Sequence, residues 1–462
     1  MKDVSKIKEQ VLKSVSPSEK EREETWKLFE DIKSYIKDEF GLEANMMGSV
    51  SKNTFLKGNK DLDIFVFFPE DKDVENLEER GLEIGKSVFD KFDGEYEVDY
   101  AEHPYTKGLI DGFEVEIIPC YNVDTAEELK SSVDRTPFHT KWINDNLSED
   151  EKEEVIILKA FLQARELYGS SLKVEGFSGY LCELLIAEYG SFEKLLEASQ
   201  EWTKREKIDP GDHWKEKDEI KIPKEVWGKF KEDSFILIDP VDSGRNVASV
   251  LSEENFAKFI YEAGNFLKNP SKDFFKREDE EYSKEEIEKT LEDHGKVLVL
   301  EFKKPDLIDD ILYPQLRRSL KRIENKITRN EFELFETGIY TDEEHVRLVL
   351  DFKVWKLPKA RKHVGPQVYH NRDHLDQFKD KYEQVWIEDS RVVTINSREH
   401  RKARDLLEDF LNTDSEELKR KGISKDVAEN LVNYDLKNLK KPDSLNGSQN
   451  WLCFLGNFLK VE

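Results

Sequence analysis

Residues 48–68 read GSVSKNTFLKGNKDLDIFVFF, a polar, turn-rich segment followed by a run that alternates in hydropathy. From Asp61 onward apolar residues recur at every second position, which is the period of a β-strand. Asp61 and Asp63 therefore share one face, with their Cα atoms about 6.5 Å apart at the usual strand rise. Two carboxylates placed in this way can ligate one or two Mg²⁺ ions for phosphoryl transfer.

The Gly48-Ser49 pair before this strand strengthens the functional interpretation. A DxD pattern on a strand of so acidic a chain more often faces solvent than a ligand. Glycine, however, permits close backbone approach, and a helix that opens at Ser49 would point its hydroxyl and N–H groups at a triphosphate. Phe65 and Phe67 follow on the same face as the two aspartates, and two aromatic residues are not typical of a fully solvent-exposed face.

A second alternating run, Phe113 to Ile118, predicts a strand that ends at Pro119. Glu114 and Glu116 share one face of it, and either could supply the third carboxylate that such metal sites usually contain. Strand parity does not choose between them. The run therefore predicts a third acidic ligand and leaves its identity open.

The elements around these strands predict a mixed architecture. Ser16-Pro17 predicts the start of an amphipathic helix that ends at Gly41, with apolar residues from Trp26 to Phe40 at helical spacing. Glu149 to about Glu197 has a helical pattern, from which we expect a mostly helical middle region. Residues 269–462 form a third, mixed region, with predicted strands at Val297–Phe302 and Val346–Trp355 and a helix at Ile308–Ile327.

Composition limits the function classes. The chain has 462 residues, and 73 Lys+Arg against 100 Asp+Glu give 73 − 100 = −27, which on average would repel a phosphate polymer or an anionic membrane. The three cysteines have no CxxC spacing, which favours a reducing cytoplasm over a disulfide framework or a thiolate zinc site. The apolar runs are too short to cross a membrane, so we expect neither export nor insertion.

Three basic clusters in the C-terminal region oppose this average. No acidic residue occurs from Lys353 to Arg372, and two further clusters lie in Tyr313–Asn330 and Arg398–Arg404. A single charged run is more often a solvated face, but three together favour a shared RNA surface. The residues predicted to contact RNA are Arg317, Arg318, Lys359, Arg361, Lys362 and Arg401.

At this point the sequence resembles a known family. Gly48-Ser49 and Asp61-Leu62-Asp63-Ile64 resemble the signature of the DNA polymerase beta-like nucleotidyltransferase superfamily. The resemblance narrows to archaeal-type (class I) CCA-adding enzymes, the tRNA nucleotidyltransferases, through GSVSKNTFLKGNKDLDIFVFFPE, AEHPY (101–105), VEIIPCY (115–121), DRTPFHTKW (134–142), GFSGYLCELL (176–185) and DPVDSGRNVA (239–248). It continues to about Leu316 and is weaker beyond, with a short GPQ at 365–367.

The resemblance implies an α+β, multidomain protein. It implies a catalytic nucleotidyltransferase head at residues 1–145 and a helical neck at 146–268 that completes the nucleotide pocket. A mixed α/β body and tail at 269–462 would bind tRNA.

The resemblance also implies site residues. Asp61, Asp63 and Glu116 match the metal-binding catalytic carboxylates, and the position just before Ile-Ile-Pro selects Glu116, where the family usually has Asp. Lys52 stands where Arg is usual, which replaces a bidentate fork by a point charge. Four residues match positions that hold the triphosphate: Ser49, Lys52, Lys159 and Tyr168. His139 matches a further nucleotide contact, and Arg245 matches the arginine that reads the base.

A physical reason supports an arginine at the base. Arg245 offers only hydrogen-bond donors, whereas cytosine N3 and adenine N1 are acceptors and the matching positions of uracil and guanine are donors. A buried donor that faces another donor costs about 1–3 kcal/mol. Arg245 would therefore favour C and A over U and G, without distinguishing C from A.

The implied function is untemplated addition and repair of the tRNA 3′-terminal CCA from CTP and ATP, with Mg²⁺ as cofactor and pyrophosphate released. The expected partners are tRNA and these nucleotides, with no membrane; a homodimer is left open. An alternative is a poly(A) polymerase-like terminal nucleotidyltransferase with the same metal site. A catalytically silent RNA-binding module is another, and a small-molecule nucleotidyltransferase would have no use for the basic clusters.

Overall fold

The computed structural model describes residues 4–100, 102–217, 219–277, 281–369, 372–441 and 445–461, with the side chain of residue 127 excepted. The chain divides into two compact units, Met1–Glu278 and Asp279–Glu462. In the described residues, no helix is long and apolar enough to cross a membrane.

The first unit mixes helices and strands. Its helices are α1 (Val4–Val15), α2 (Glu19–Phe40), α3 (Gly48–Ser51), α4 (Val74–Lys91), α5 (Arg135–Asn146), α6 (Glu149–Ala164), α7 (Gly179–Tyr189), α8 (Phe192–Ser199), α9 (Lys224–Trp227) and α10 (Glu253–Lys268). Its strands are β1 (Glu43–Met46), β2 (Asp61–Phe68), β3 (Glu95–Tyr100), β4 (Pro104–Ile110), β5 (Phe113–Tyr121), β6 (Glu206–Ile208), β7 (Lys215–Glu216), β8 (Glu219–Ile220) and β9 (Phe235–Leu237). Short 3₁₀ helices lie at Ala126–Glu128, Gly228–Phe230 and Lys272–Phe275.

A five-stranded sheet in the order β1-β2-β5-β4-β3 positions the predicted carboxylates. The apolar face of β2, with Leu62 and Ile64, packs into one core with buried residues of α2 and α4. That packing leaves the other face of β2, which carries Asp61 and Asp63, turned away from these helices. The predicted alternation is therefore confirmed.

The start of helix α2 differs from the prediction at Ser16-Pro17. Ser18 is the N-cap, and Ser18 and Glu21 form a reciprocal capping box. This places Pro17 in the turn after α1, because the paired cap satisfies the first backbone N–H groups better than Ser16 would. The end at Gly41 is confirmed, with Gly41 in the left-handed conformation.

Strand β5 also differs from the prediction, because it continues through Pro119 to Tyr121. Pro119 is paired with Val66 of β2, whereas the pairing with β4 reaches only Ile117. The backbone N–H of Glu114 donates to the β2 side, so odd-numbered residues of β5 direct theirs toward β4. Proline therefore removes a donor only where the β4 ladder has already ended.

Helices α6, α7, α8 and α10 form a separate core in the first unit, which confirms the helical pattern from Glu149 to about Glu197. Strands β6 to β9 lie between α8 and α10, so the middle region is not helical throughout. Phe274 and Phe275 follow the predicted boundary at residue 268 and still pack against Phe161 and Phe266 of this core. The division of the chain into three domains at 145 and 268 stays a prediction.

The second unit is a mixed α/β body. Its helices are α11 (Lys284–Asp293), α12 (Asp309–Arg329), α13 (Arg372–Lys381), α14 (Ala403–Leu411), α15 (Ser415–Arg420), α16 (Lys425–Leu431) and α17 (Gln449–Leu459). Its strands are β10 (Lys296–Lys303), β11 (Glu333–Thr341), β12 (His345–Val354), β13 (Ala360–Gln367), β14 (Trp386–Glu388), β15 (Arg391–Ser397) and β16 (Asp435–Asn438). One sheet has the order β11-β12-β10-β16 and a smaller one β13-β15-β14.

The elements predicted in this region are confirmed within a residue or two, as β10, α12 and β12. Leu298 and Leu348 of the larger sheet share a core with Leu316 of α12. With mixed helices and sheets in more than one unit, the predicted α+β, multidomain class is confirmed.

Candidate active site

The three predicted catalytic carboxylates, Asp61, Asp63 and Glu116, lie on two adjacent strands. β2 and β5 run parallel, with Asp61 opposite Glu114 and Asp63 opposite Glu116. Residues paired in this way project from the same face of a sheet. The register therefore brings Asp61, Asp63, Glu114 and Glu116 onto one face, although β2 and β5 are far apart in the sequence.

Asp63 is the most perturbed of these acids. Burial, together with the negative charges of Glu116 and Asp61, raises the pKa of Asp63 to about 6. Burial and Glu114 likewise raise the pKa of Asp61, against the opposing charge of Lys107. Such crowding of negative charge is relieved by a bound cation, so the acids present fit a divalent metal ion.

Gly48 allows the Asp63 carboxylate to lie where it does. Its φ of +69° is in the left-handed region, and an ideal Cβ at this position would stand 1.8 Å from Oδ2 of Asp63. The backbone N–H of Met47 also donates to the Asp63 carbonyl at 2.8 Å. The glycine of the Gly-Ser pair thus has a definite task, namely to make room for an acid of the site.

Glu116 has another partner in this structure. Nζ of Lys107, on the neighbouring strand β4, lies 3.1 Å from Oε1 of Glu116. Within the described ranges no three His, Cys, Asp or Glu side chains are already grouped to hold a metal ion. Lys107 therefore neutralises Glu116 in this structure, while Glu114 lies exposed at the start of the strand pair.

Ser49 lies on the single-turn helix α3, and Lys52 is the residue that ends it. Ser49 is half-buried on α3, which begins at Gly48, one residue before the predicted opening at Ser49. Lys52 follows directly and is buried, and its positive charge lowers the pKa of Asp63 against the effect of burial. Lys52 is thus within electrostatic reach of the carboxylates.

Lys52 and Lys159 converge on one buried acid, Glu183 of α7. Nζ of Lys52 lies 2.5 Å from Oε2 of Glu183, and Nζ of Lys159 lies 3.4 Å from Oε1. Thr54 donates to Glu183 at 2.6 Å and accepts from Lys159 at 3.1 Å. Burial would raise the pKa of Glu183, but the two lysine charges outweigh it and lower the pKa, so the acid is ionised.

Tyr168 lies beside this cluster. Its hydroxyl and the Lys159 ammonium both approach the start of α7, where an ideal Cβ on Gly179 would be 3.2 Å from the hydroxyl and 3.5 Å from Nζ. Burial raises the pKa of Tyr168, and the negative charges of Glu183 and Asp61 add to the increase. Tyr168 is therefore a neutral donor near Lys159, within electrostatic reach of Asp61.

His139 and Arg245 meet at a second buried acid, Asp239. Nε2 of His139 and Nη1 of Arg245 both lie 2.8 Å from Oδ2 of Asp239. The hydroxyl of Tyr180 donates to Oδ1 at 3.2 Å, and its ring stacks on His139 with centroids 4.1 Å apart. This places the predicted base-reading arginine and the predicted nucleotide histidine side by side.

The two groups of nucleotide residues lie close together. Nζ of Lys52 is 5.7 Å from the centre of the Tyr180 ring, on which His139 stacks. Burial lowers the pKa of His139, Asp239 opposes this effect, and the charges of Arg245 and Lys52 lower the pKa further. All predicted nucleotide and catalytic residues therefore fall within one region of the first unit.

The residues predicted to bind RNA lie in the second unit, where Arg361 and Lys362 form ion pairs. Nε of Arg361 is 2.9 Å from Glu331, and Lys362 forms an ion pair with Glu388. Arg317 and Arg318 lie on α12, and Lys359 and Arg401 lie on exposed loops. The local absence of acids in the sequence does not exclude carboxylate partners from neighbouring elements.

Two of the three basic clusters are joined by backbone hydrogen bonds. Leu357 donates to the carbonyl of Arg401 at 2.8 Å, and Arg398 donates to that of Lys359 at 2.9 Å. The segments 355–359 and 398–403 therefore run side by side. Cations from both segments are exposed on this paired strip, namely Lys356, Lys359, Arg401 and Lys402.

Sequence reasoning missed the two acids that organise the nucleotide residues. Glu183 is a lone charge within the apolar run of α7, and such a charge in a buried helix is a signal of a partner. Asp239 opens the DPVDSGRNVA motif, six residues before Arg245. Both lie inside segments that carry the resemblance, but their partners follow only from the tertiary structure.

Family models match three consecutive stretches of the chain. A nucleotidyltransferase domain model matches residues 27–139, the model "tRNA nucleotidyltransferase, second domain" matches 153–276, and the model "CCA-adding enzyme, C-terminal domain" matches 294–436. The first match covers β2, β5 and all three predicted catalytic carboxylates. Fold and matches together define a nucleotidyltransferase, a class of enzyme that uses a divalent metal ion.

Curated relatives make the assignment narrower. The CCA-adding enzyme of Methanocaldococcus jannaschii is 39% identical over 417 residues, which cover 88% of this chain and 91% of that protein. That of Methanothermobacter thermautotrophicus is 37% identical and covers 87% of each chain. The chain belongs to the CCA-adding enzymes, the tRNA nucleotidyltransferases. The match to a solved structure of the Cid1 poly(U) polymerase covers 60% of this chain and 99% of that one, at 14% identity and a TM-score of 0.48.

Proposed function

We propose that this protein adds and repairs the 3′-terminal CCA of tRNA, using CTP and ATP with Mg²⁺ as the metal ion. Membership of the CCA-adding enzymes carries the reaction, and one observation supports the site. Asp63 and Glu116 are in register on parallel strands, next to two buried lysines held by Glu183. The reducing cytoplasm is the proposed compartment, and a homodimer stays open.

Each residue at the carboxylates has a proposed task. Asp61, Asp63 and Glu116 would hold Mg²⁺, which supplies electrophilic stabilisation of the phosphates and activates the attacking ribose hydroxyl. Once Glu116 has separated from Lys107, its carboxylate would accept the proton of that hydroxyl. Glu114, exposed and opposite Asp61, is the less suitable third ligand.

The triphosphate would lie between Ser49, Lys52, Lys159 and Tyr168. Tyr168 keeps its proton, because its pKa is raised, and so it would donate to a phosphate oxygen. Lysine ammonium groups stabilise the charge that develops on departing pyrophosphate. Since Glu183 neutralises one of the two lysine charges, the group of Lys52, Lys159 and Glu183 keeps about one positive charge for the triphosphate.

The tRNA would bind the second unit through the paired strip of segments 355–359 and 398–403. Burial lowers the pKa of Lys296, and the nearby charges of Arg404, Lys440 and Lys441 lower it further, which supports a positive region on this unit. Such a surface favours phosphate contacts and recognition of acceptor-stem shape. The individual RNA residues Arg317, Arg318, Lys359, Arg361, Lys362 and Arg401 remain proposals.

The decisive experiment offers the protein tRNA that lacks A, CA or CCA, together with labelled CTP, ATP and Mg²⁺. We expect growth that stops after CCA. Asp63→Ala should abolish incorporation and leave tRNA binding intact, because the acid is on the metal face and not on the second unit. A long A tail would instead support the poly(A) polymerase-like alternative, and binding without incorporation would support the silent RNA-binding module.

A further inference from the structure

Asp239 is fully buried, yet nothing in the reaction as described requires it. Its two carboxylate oxygens accept four hydrogen bonds, from His139 and Arg245 at Oδ2 and from Tyr180 and the Val241 N–H at Oδ1. A buried carboxylate with all its acceptor sites used fixes the orientation of each donor around it.

The ionisation of Asp239 is secure at neutral pH. Burial would raise its pKa, but the hydrogen bond from His139, the charge that His139 carries at the low pH where Asp239 titrates, the Val241 N–H and the Arg245 charge outweigh burial and lower the pKa to about 2. An ionised carboxylate only accepts hydrogen bonds, so Nε2 of His139 must carry the proton that it donates. Burial lowers the pKa of His139, which is therefore neutral, and Nδ1 is left as an acceptor.

Arg245 is oriented by the same oxygen. Nη1 is committed to Asp239, and the side chain is about one-third exposed, so its other N–H groups remain available to a nucleotide. The Tyr180 ring holds the plane of His139 by stacking. One acid thus places a donor group and an acceptor group next to each other.

We propose that Asp239 is a positioning residue for nucleotide selection, which directs the donors of Arg245 and fixes Nδ1 of His139 as an acceptor for a nucleotide donor. The proposal rests on the proposed function. The donors that C and A offer and that could reach such an acceptor are the exocyclic amine and the ribose 2′-hydroxyl. The amine would complement the N3 or N1 acceptor read by Arg245, whereas U and G have the reverse pattern.

Asp239→Asn tests the positioning role. An amide has one acceptor oxygen and one donor nitrogen, so in either orientation it loses the acceptor for one pair of donors: His139 and Arg245 at one oxygen, or Tyr180 and the Val241 N–H at the other. In both orientations it also removes the negative charge that holds Arg245. We expect the ratio of kcat/KM for CTP over UTP, and for ATP over GTP, to fall at least tenfold. Asp242→Asn is the matched control, because Asp242 is on the same loop and its side chain bonds Arg135 and the Gly244 N–H instead. Its ratios should stay within twofold of the wild type.

Nucleotide analogues test the acceptor role in the wild-type protein, so that the proposal does not depend on the folding of one variant. Pyrimidin-2-one ribonucleoside triphosphate lacks the amine of CTP, and 2′-deoxy-CTP lacks the hydroxyl. We expect kcat/KM to fall about tenfold for one of them, and His139→Ala to remove that difference. Unchanged base ratios in a folded Asp239→Asn protein, or use of both analogues as efficiently as CTP, would overturn the proposal. Absence of any CCA addition by the wild type would instead refute the proposed function.

Discussion

Replacing Gly48 by alanine perturbs the catalytic carboxylates through a single carbon atom. The new Cβ would stand 1.8 Å from Oδ2 of Asp63, whereas real Cβ contacts are essentially never below 3.0 Å, so the two groups must separate by at least 3.0 − 1.8 = 1.2 Å. Asp63 is flanked by Glu116 and the charge of Asp61, so movement in their direction is opposed by repulsion. We therefore expect the Asp63 carboxylate to leave its position.

The expected cost has two separable parts. Alanine at a φ of +69° is strained by about 1–2 kcal/mol relative to glycine, which lowers the free energy of unfolding. A displacement of about 1 Å in a catalytic group typically lowers the rate about 100-fold, or about 2.7 kcal/mol in the activation barrier. Gly48→Ala should therefore lose about 100-fold in kcat and 1–2 kcal/mol in stability.

Gly41→Ala is the matched control for the strain. Gly41 has the same φ of +69°, ends α2, and has no neighbouring atom within 4 Å of an ideal Cβ. It should lose the same stability in urea unfolding but keep its rate of AMP incorporation into tRNA that ends in CC. Equal rates for both variants, with equal losses of stability, would refute the inference that Gly48 makes room for Asp63.

Three further predictions concern buried and exposed charges. Glu183→Ala should lower the free energy of unfolding by about 3–5 kcal/mol, because two lysines lose their buried partner. Glu253→Ala removes one member of an exposed ion pair and should cost at most about 1 kcal/mol. Urea unfolding measures both variants, and similar values would contradict the buried role of Glu183. Lys359→Glu should weaken tRNA binding and reduce the slope of log Kd against log salt, whereas Lys284→Glu in the 277–286 run should do neither, as titrations at several salt concentrations will show. Because the pKa of Asp239 is lowered by folding, its ionised form stabilises the folded protein by about 2 kcal/mol above the unfolded pKa near 4, and this contribution is lost as pH falls toward 2. The difference in free energy of unfolding between the wild type and Asp239→Asn should therefore shrink across this window. A constant difference would contradict the assigned pKa.

The sequence allowed the metal face of β2 to be predicted because strand periodicity is local. Asp61 and Asp63 share a face whatever the rest of the chain does, and Glu114 and Glu116 share one for the same reason. The register of β2 against β5 is not local, and only it shows that Glu116 stands opposite Asp63. Likewise, β5 can continue through Pro119 only because its pairing with β4 has ended at Ile117, and the sequence does not show where that pairing ends.

The nucleotide residues were predicted through resemblance, but the acids that hold them were not. The distance in sequence between Lys52 and Glu183 is 131 residues, and that between His139 and Asp239 is 100 residues. No periodicity or composition reports such a pairing, because it arises when separate elements pack together. A lone acid in an apolar helix indicates that a partner exists, without saying which one.

Charge in the second unit shows the same limit and changes how the RNA surface should work. Arg361 and Arg398 both bind Glu331, and Lys362 binds Glu388, so a phosphate at these residues would have to displace a carboxylate and would gain little net free energy. Among the described residues, Lys356 and Lys359 have no carboxylate within ion-pair distance. A phosphate would there release only counterions, which is the favourable term in binding a polyanion. The acidic excess of −27 is therefore compatible with RNA binding, because it neutralises cations outside the strip and leaves the strip itself positive.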